Sequence, residues 1–299
     1  MKQKYPTLSY SYLCGLFGKT RQAYYKAQKR IRELEREKLK IISLVKEIRK
    51  ERPKVGGRKL YIELSDKFKE LNIKIGRDRF FDILREHNLL IKKKSSSHKG
   101  KYSHGQYVYP NKISGRTFTE ANRLWVSDIT YISLIKGQAY LFLITDGYSR
   151  KILGWYLSDN LRSEGALKAL NMAVLNNEIK PGLIHHSDRG SQYSSIAYTN
   201  ALKNLGIEIS MSCPGSPQEN AIAERVNGIL KQEWLSEVEL TDIEQAREYL
   251  TKIIKLYNTK RLHSSLNYLT PEKAHKQQGE IPRCWKNYNK QSDRRLECK

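Results

Sequence analysis

The spacing of apolar positions changes character once along the chain, near residue 120. Before that point it is helical. In YPTLSYSYLCGLFGKTRQAYYKAQKR, Leu8, Tyr12, Leu13 and Leu16 share one helical face and Gly18 interrupts it. Thr20 can then cap a second helix that displays Arg21, Gln22 and Tyr25. This predicts a short helix-turn-helix over residues 1–32. Another helix is expected near 35–50, followed by GGRKLYIELSDKF as a helix, KELNIKIG as a turn and RDRFFDILREHNLL as a helix. Together they form a second helix-turn-helix-like domain at 33–91. On its last helix Arg77, Asp78, Arg79 and Arg85 surround the apolar Phe80, Phe81 and Leu84, and a DNA-reading helix needs such polar donors opposite its core stripe. Residues 92–118 are mostly aperiodic and rich in Lys, Ser and Gly, which predicts a basic linker.

From residue 121 the runs are strand-like. RLWVSDITYISL and QAYLFLITDGYS, separated by IKG, and then KILGWYLS predict a three-stranded meander. SEGALKALNMAVLNN reads as a helix, GLIHHSD as a strand, SSIAYTNALKNLG as a helix and IEISMS as a strand. Three strands followed by alternating helix and strand predict an α/β core at 119–275, with a mixed β-sheet flanked by helices, and a basic tail at 276–299. Two more helices belong to this core. In CPGSPQENAIAERVNGILKQEWL, Ser216 is the expected N-cap, Pro217 the first helical residue and Glu219 the partner in a capping box. A long amphipathic helix follows from about 242.

Charge separates the same two regions. Residues 1–120 hold 31 Lys and Arg against 12 Asp and Glu, and residues 121–299 hold 24 against 19, so of the net +24 the first part carries +19 and the second +5. A basic all-α region rich in Arg and Tyr points to nucleic acid as the partner. Cys14, Cys213, Cys284 and Cys298 are scattered without metal-ligand spacing, so neither a disulfide framework nor a zinc site is expected. The first residues lack the apolar core of a signal peptide, and no run approaches the ~20 apolar residues of a membrane span, so a cytoplasmic protein is expected.

Carboxylates in core strands are the candidate chemistry. Asp188 stands at the lip of the strand GLIHHSD, where α/β sheets place their ligands, and Asp128 lies inside LWVSDITYI between Trp125, Val126, Ile129 and Tyr131. A charge in a core strand is costly unless something pairs with it, and two such aspartates could share a metal ion. On the later helix Asn220, Glu224, Asn227 and Lys231 share one side and Ile222, Val226, Ile229 and Leu230 the other, so the helix could present Glu224 to the same cleft. Asp146 in LITDGYSR is the rival of Asp128. A two-residue turn at Lys136–Gly137 would pair Asp128 with Thr145 and leave Asp146 on the opposite face, while a loop one residue longer would reverse that. His186, Ser187 and Ser191 crowd Asp188, but a Ser–His pair so close in sequence gives no sign of triad geometry.

LWVSDITYI, HHSDRGSQY, NAIAERVNGILKQE and YNTKRLHSSLNYLTP, in this order over about 120–275, resemble the consecutive signatures of insertion-sequence transposases. The resemblance is specifically to the second-reading-frame protein of the insertion sequence three family, and also to the retroviral-integrase catalytic core. SPQENA departs from the family pattern, which would have an aromatic and an Asp before Asn-Ala. The resemblance implies an RNase H-like core with Asp128, Asp188 and Glu224 as the catalytic metal ligands. It implies two Mg²⁺ ions, replaceable by Mn²⁺, that support strand cleavage and strand transfer by in-line phosphodiester displacement. Double-stranded DNA is the implied partner, as the terminal inverted repeats of the element and as target, bound by a homo-oligomer in a bacterial cytoplasm at the nucleoid. Lys231, Arg189 and Asn227 are candidate DNA contacts in the core, as are Arg21, Gln22, Tyr25, Arg77 and Arg79 in the basic region. Arg261, with Tyr257, Asn258 and His263, is a candidate contact for which packing is the favoured alternative. The rival readings are a structure-specific RNase H-like endonuclease without strand joining, and a catalytically silent DNA-binding regulator.

Overall fold

A computed structural model of the chain describes residues 7–91, 109–213 and 216–284. Most of the expected linker and of the basic tail lies outside the described residues. The chain divides into two units, Met1–Glu51 with Val55–Lys93, and Arg52–Lys54 with Lys94–Lys299.

In the first unit, helix α1 (Tyr10–Leu16) starts at Ser9, whose hydroxyl accepts a hydrogen bond from Tyr12 N–H. Just beyond it Gly18 takes a positive φ of 61°, and Thr20 caps helix α2 (Arg21–Glu51) by accepting from Ala23 N–H. The separate helices expected from Thr20 and near 35–50 are one continuous helix, and the boundary expected after residue 32 falls inside it. The sequence contains the reason: no Gly or Pro stands between Arg21 and Glu51, so nothing ends the helix before Pro53. Helices α3 (Gly57–Glu70) and α4 (Arg77–Glu86) complete a small core in which Val45, Leu60, Leu64, Phe68, Phe80 and Leu84 are buried.

The second unit is built on strands β1 (Leu124–Leu134), β2 (Gly137–Asp146) and β3 (Ile152–Ser158), then helix α5 (Ser163–Asn176), strand β4 (Ile184–Ser187), helix α6 (Ile196–Asn204) and strand β5 (Glu208–Met211). Helices α7 (Ala221–Glu233), α8 (Ile243–Lys260) and α9 (Pro271–His275) follow. The sheet order is β3-β2-β1-β4-β5, with β1–β2 and β2–β3 antiparallel, β4 parallel to β1, and β5 parallel to β4. This is the mixed, helix-flanked sheet of an RNase H-like core. Trp125, Phe142 and Ile144 pack with Leu170, Tyr198 and Leu202 on the α5/α6 side, and Leu141 and Leu143 with Val226, Leu230 and Leu250 on the α7/α8 side. Gly154 lets α5 approach β3 closely, since a Cβ there would stand 2.2 Å from the Ala169 carbonyl oxygen.

The β1–β2 turn comes one residue earlier than expected. Leu134 pairs with Gly137, so Ile135 and Lys136 form the loop, their N–H groups bonded to the carbonyls of Leu240 and Thr241. Asp128 therefore pairs with Leu143, not Thr145. A shift by two residues preserves the face, and Asp146, paired with Trp125, stays on the side opposite Asp128.

The expected capping box at Ser216 does not form. Pro217–Asn220 is a 3₁₀ turn, α7 begins at Ala221, and Glu219 instead accepts from Cys213 N–H at 2.6 Å. Cys14 and Cys284 are free thiols. Among the described residues no helix is long and apolar enough to cross a membrane.

Candidate active site

Chain direction brings two aspartates together. Strand β4 runs parallel beside β1, with Leu124 opposite Ile184 and Val126 opposite His186. The alternation then puts Asp128 and Asp188, two residues beyond Val126 and His186, on one face of the two neighbouring strands. That face is covered by α7, whose Ala223 packs with Leu124, Val126 and Ile184, and Glu224 is the next residue along.

Asp128 is anchored from two sides. Its Oδ2 accepts from Asn227 Nδ2 at 2.8 Å and its Oδ1 from Ile129 N–H at 2.9 Å. Asp188 Oδ1 accepts from Gly190 N–H at 3.0 Å, an approach that glycine eases because a Cβ there would stand 3.0 Å from the same oxygen. Glu224 is solvent-exposed.

All three carboxyls are harder to ionise than usual. Burial pushes Asp128 up to about 7, the Asn227 bond opposes this, and the negative charges of Asp188 and Glu224 add to it. Burial raises Asp188, although its side chain is open to solvent on one side, and burial followed by the Asp188 charge raises Glu224. Asp128 thus senses both other carboxylates, and Glu224 senses Asp188. Lys231, partly buried, is lowered by that burial, while Asp128 pulls the other way.

Around this cluster are buried polar atoms without a hydrogen-bond partner among the described residues, including Tyr193 Oη and Asn227 Oδ1. Tyr193 is raised well above the ordinary phenol range by burial, then by neighbouring Tyr198 and by the charges of Asp128 and Asp188. Among the described residues no group of three or more His, Cys, Asp or Glu is gathered tightly enough to hold a metal ion as it stands. The hard oxygen donors, their mutual repulsion and the orphaned polar atoms nevertheless fit a divalent cation that keeps part of its water shell.

The neighbouring histidines belong to the core. His185 Nε2 lies 2.6 Å from Ser127 Oγ and 2.9 Å from Tyr198 Oη, and His186 Nδ1 lies 2.9 Å from Ser210 Oγ. Burial pushes them down to about 3 and about 4, so both are neutral at pH 7. Ser187 Oγ donates to the Asp188 carbonyl rather than to an imidazole, and the Ser127–His185 and Ser210–His186 pairs are buried away from any substrate.

Two expected DNA contacts need correction. Asn227, 4% exposed, spends its amide on Asp128 and is not displayed to DNA. Arg261, also 4% exposed, makes a bidentate ion pair with Glu233, with Nε–Oε2 at 2.8 Å and Nη2–Oε1 at 2.6 Å. Its motif is packing: Tyr257 Oη donates to the Arg150 carbonyl, and Asn258 bonds both N–H and C=O of Ile152, fixing the start of β3. Arg189 Nε donates to the Ser212 carbonyl at 2.7 Å. Arg21, Gln22 and Tyr25 are exposed on α2. Arg77 and Arg79 are exposed on α4, where they pair with Asp78 and Glu86.

Sequence reasoning missed Tyr193 and gave Asn227 the wrong task. A polar residue three positions after Glu224 on a helix facing the sheet was visible; that it turns inward follows from which aspartate lies beneath it. Tyr193, last in HHSDRGSQY, had no periodicity to mark it as buried.

The sheet order is that of an RNase H-like core. The sequence matches two families described as "Integrase core domain", over residues 119–217 and 205–271. It is 35% identical over 266 residues to an insertion element IS600 uncharacterized 31 kDa protein of Shigella sonnei, covering 87% of this chain and 96% of that protein. It is 33% identical over 172 residues to the transposase InsF for insertion sequence IS3A of Escherichia coli K12, covering 57% of this chain and 60% of that one. The magnesium complex of the HTLV-2 integrase catalytic core is 19% identical, with a TM-score of 0.41 over 53% of this chain and 98% of that one. The chain belongs to the insertion sequence three family of DDE-type DNA transposases.

Proposed function

We propose that Asp128, Asp188 and Glu224 are the catalytic carboxylates of a DNA strand-cleavage and strand-transfer reaction at the ends of an insertion element. The observation that supports this is the convergence of three carboxylates, each with raised proton affinity, on one face of the sheet over β1 and the end of β4. Asp128 and Asp188 are fixed by backbone N–H bonds, and Asn227 orients Asp128. Glu224, exposed on α7, would complete the set. When bound there, Mg²⁺, as a pair of ions that Mn²⁺ could replace, supplies the positive charge that activates the attacking oxygen and stabilises the leaving one.

The chain's own groups do the rest. Lys231, within the field of Asp128, is suited to hold a phosphate oxygen beside the scissile bond, and Arg189 to hold another. Arg21, Gln22 and Tyr25 offer exposed donors for the terminal repeats. Arg77 and Arg79 can exchange their surface acid partners for phosphates, because such exposed pairs are worth only about 0–1 kcal/mol. In this reading the basic helical region acts on the ends of the element and residues 119–275 on the scissile bond, as a homo-oligomer on bacterial DNA.

The test uses labelled element-end duplexes with Mg²⁺. Asp188→Asn and Glu224→Gln each lower cleavage by more than about a thousandfold with end binding within a few-fold of wild type. Cleavage at the wild-type rate by either variant would remove that residue from the site. Cleavage without any joined product from the wild-type chain would favour the nuclease reading.

A further inference from the structure

The start of helix α7 is held by two side chains that would ordinarily serve the helix itself. Asn220 stands at the N-cap, where an Asn side chain normally accepts from an N–H of the first turn, yet it makes no such bond. The residue is 3% exposed, and its Nδ2 donates instead to the Ser127 carbonyl at 2.9 Å. Its Oδ1, the atom that would cap the helix, is buried without a hydrogen-bond partner among the described residues. Glu219 likewise leaves the capping box unmade and accepts from Cys213 N–H at 2.6 Å. A buried amide satisfied at only one of its two polar atoms is a cost that capping its own helix would have avoided, and such a group calls for a reason.

The two anchor points supply one. Strands β1 and β4 pair as far as Val126 and His186, and Asn220 takes the next carbonyl of β1, that of Ser127, the residue before Asp128. Beyond β5, Ser212 N–H bonds the carbonyl of Ser187, the residue before Asp188, and Cys213 follows Ser212 directly. The entry to α7 is thus tied to backbone beside each of the two aspartates. Glu224 lies four residues after Asn220, in the first turn of the same helix. Asp128 and Asp188 have N–H donors to hold their carboxylates, whereas among the described residues no hydrogen bond holds the Glu224 side chain, so its place depends on where α7 carries its backbone. The apolar contacts of Ala223, Val226 and Leu230 choose which face of α7 meets the sheet, but they are non-directional and leave sliding along the axis open. Hydrogen bonds of defined length and angle close it.

We infer that Glu219 and Asn220 are positioning residues, a two-point latch that sets where α7 begins and so holds Glu224 over Asp128 and Asp188. The latch rests on the reading of Glu224 as the third metal-binding carboxylate. Glu219 acts in it by accepting a hydrogen bond, not by its charge.

Calorimetric titration of the full chain with Mg²⁺, without DNA, is the measurement, each variant first being checked for wild-type circular dichroism. Glu224→Gln gives the reference loss. Asn220→Ala is expected to weaken Mg²⁺ binding roughly tenfold, yet to add nothing in the Glu224→Gln background, because it acts through that residue. Glu219→Ala weakens binding several-fold, and Glu219→Gln, whose amide oxygen still accepts from Cys213 N–H, restores it. Glu219 is half-buried, so this pair serves even if Asn220→Ala disturbs folding. A folded Asn220→Ala with wild-type affinity, or a loss that adds in full to that of Glu224→Gln, overturns the inference. So does Glu219→Gln binding as weakly as Glu219→Ala. Were Glu224→Gln itself to bind Mg²⁺ like wild type, the reading of Glu224 as a ligand would fall, and the role of the latch with it.

Discussion

Strands β1 and β2 each carry an aspartate, and the two have opposite surroundings. Asp146 is fully buried, and its donors satisfy it. Its Oδ1 accepts from Ser149 N–H at 2.6 Å and Ser149 Oγ–H at 2.7 Å, and its Oδ2 from Asn122 N–H at 2.8 Å. His275 stands 3.8 Å away, with Ser149 Oγ between. Burial works against the charge, but these bonds outweigh it and the carboxyl is held below its ordinary range. Asp128 has one side chain and one N–H as donors and two carboxylates as neighbours, and it is pushed up to about 7. Residue type is the same in the two, but Asp128 lies inside β1 whereas Asp146 ends β2. The number of donors aimed at each carboxylate decides whether its charge is stabilised, as at Asp146, or opposed, as at Asp128.

The largest effect that would sharpen this contrast is on stability. Asp146→Asn places an NH₂ where an N–H donor already points, so it should cost about 2–4 kcal/mol, read as a lower urea midpoint with unchanged slope. An unchanged midpoint would mean that the turn does not depend on the charge. Next is Asn227→Ala, which removes the side-chain donor that orients Asp128. It should weaken Mg²⁺ binding by roughly 10–100-fold in calorimetric titration, with folding retained. Equal affinity would reduce Asn227 to packing.

The smallest effect is the pH dependence without metal. Asp128 is about 7 folded against an ordinary 3.8, so folding takes up a proton between these values, and stability falls as pH rises through that window. Asp146, depressed, behaves in the opposite way: its contribution is present above the ordinary value and is lost as pH falls toward the folded one. Metal-free Asp128→Asn should therefore gain melting temperature over wild type between pH 4 and 7 and level off above. A constant difference would place Asp128 in an ordinary solvated setting.

Much of this was legible in the sequence because it depends on periodicity. Three β-runs, two helix–strand alternations and the order of the carboxylates dictated the mixed sheet, and even a register wrong by two residues kept Asp128 and Asp146 on opposite faces. Features set by a single side chain's direction were not legible. For Arg261 packing is the favoured reading over DNA contact, but its partner Glu233 is not visible, and Asn227 reads as cleft-lining until Asp128 is found beneath it. Glu219 followed Ser216 at the right spacing for a box, yet a 3₁₀ turn sent it to Cys213. The break expected within α2 was an error of another kind, since the absence of Gly and Pro was there to be read.

The most direct test of the central claim compares the two strand aspartates in one assay. Asp128→Asn and Asp146→Asn, each confirmed folded at the assay temperature, are given the same labelled element-end duplex with Mg²⁺, and strand cleavage is measured. The account predicts that Asp128→Asn is inactive while Asp146→Asn retains measurable cleavage in proportion to its folded fraction. An active Asp128→Asn beside a folded but inactive Asp146→Asn would contradict it and move the first carboxylate of the site to the other face of the sheet.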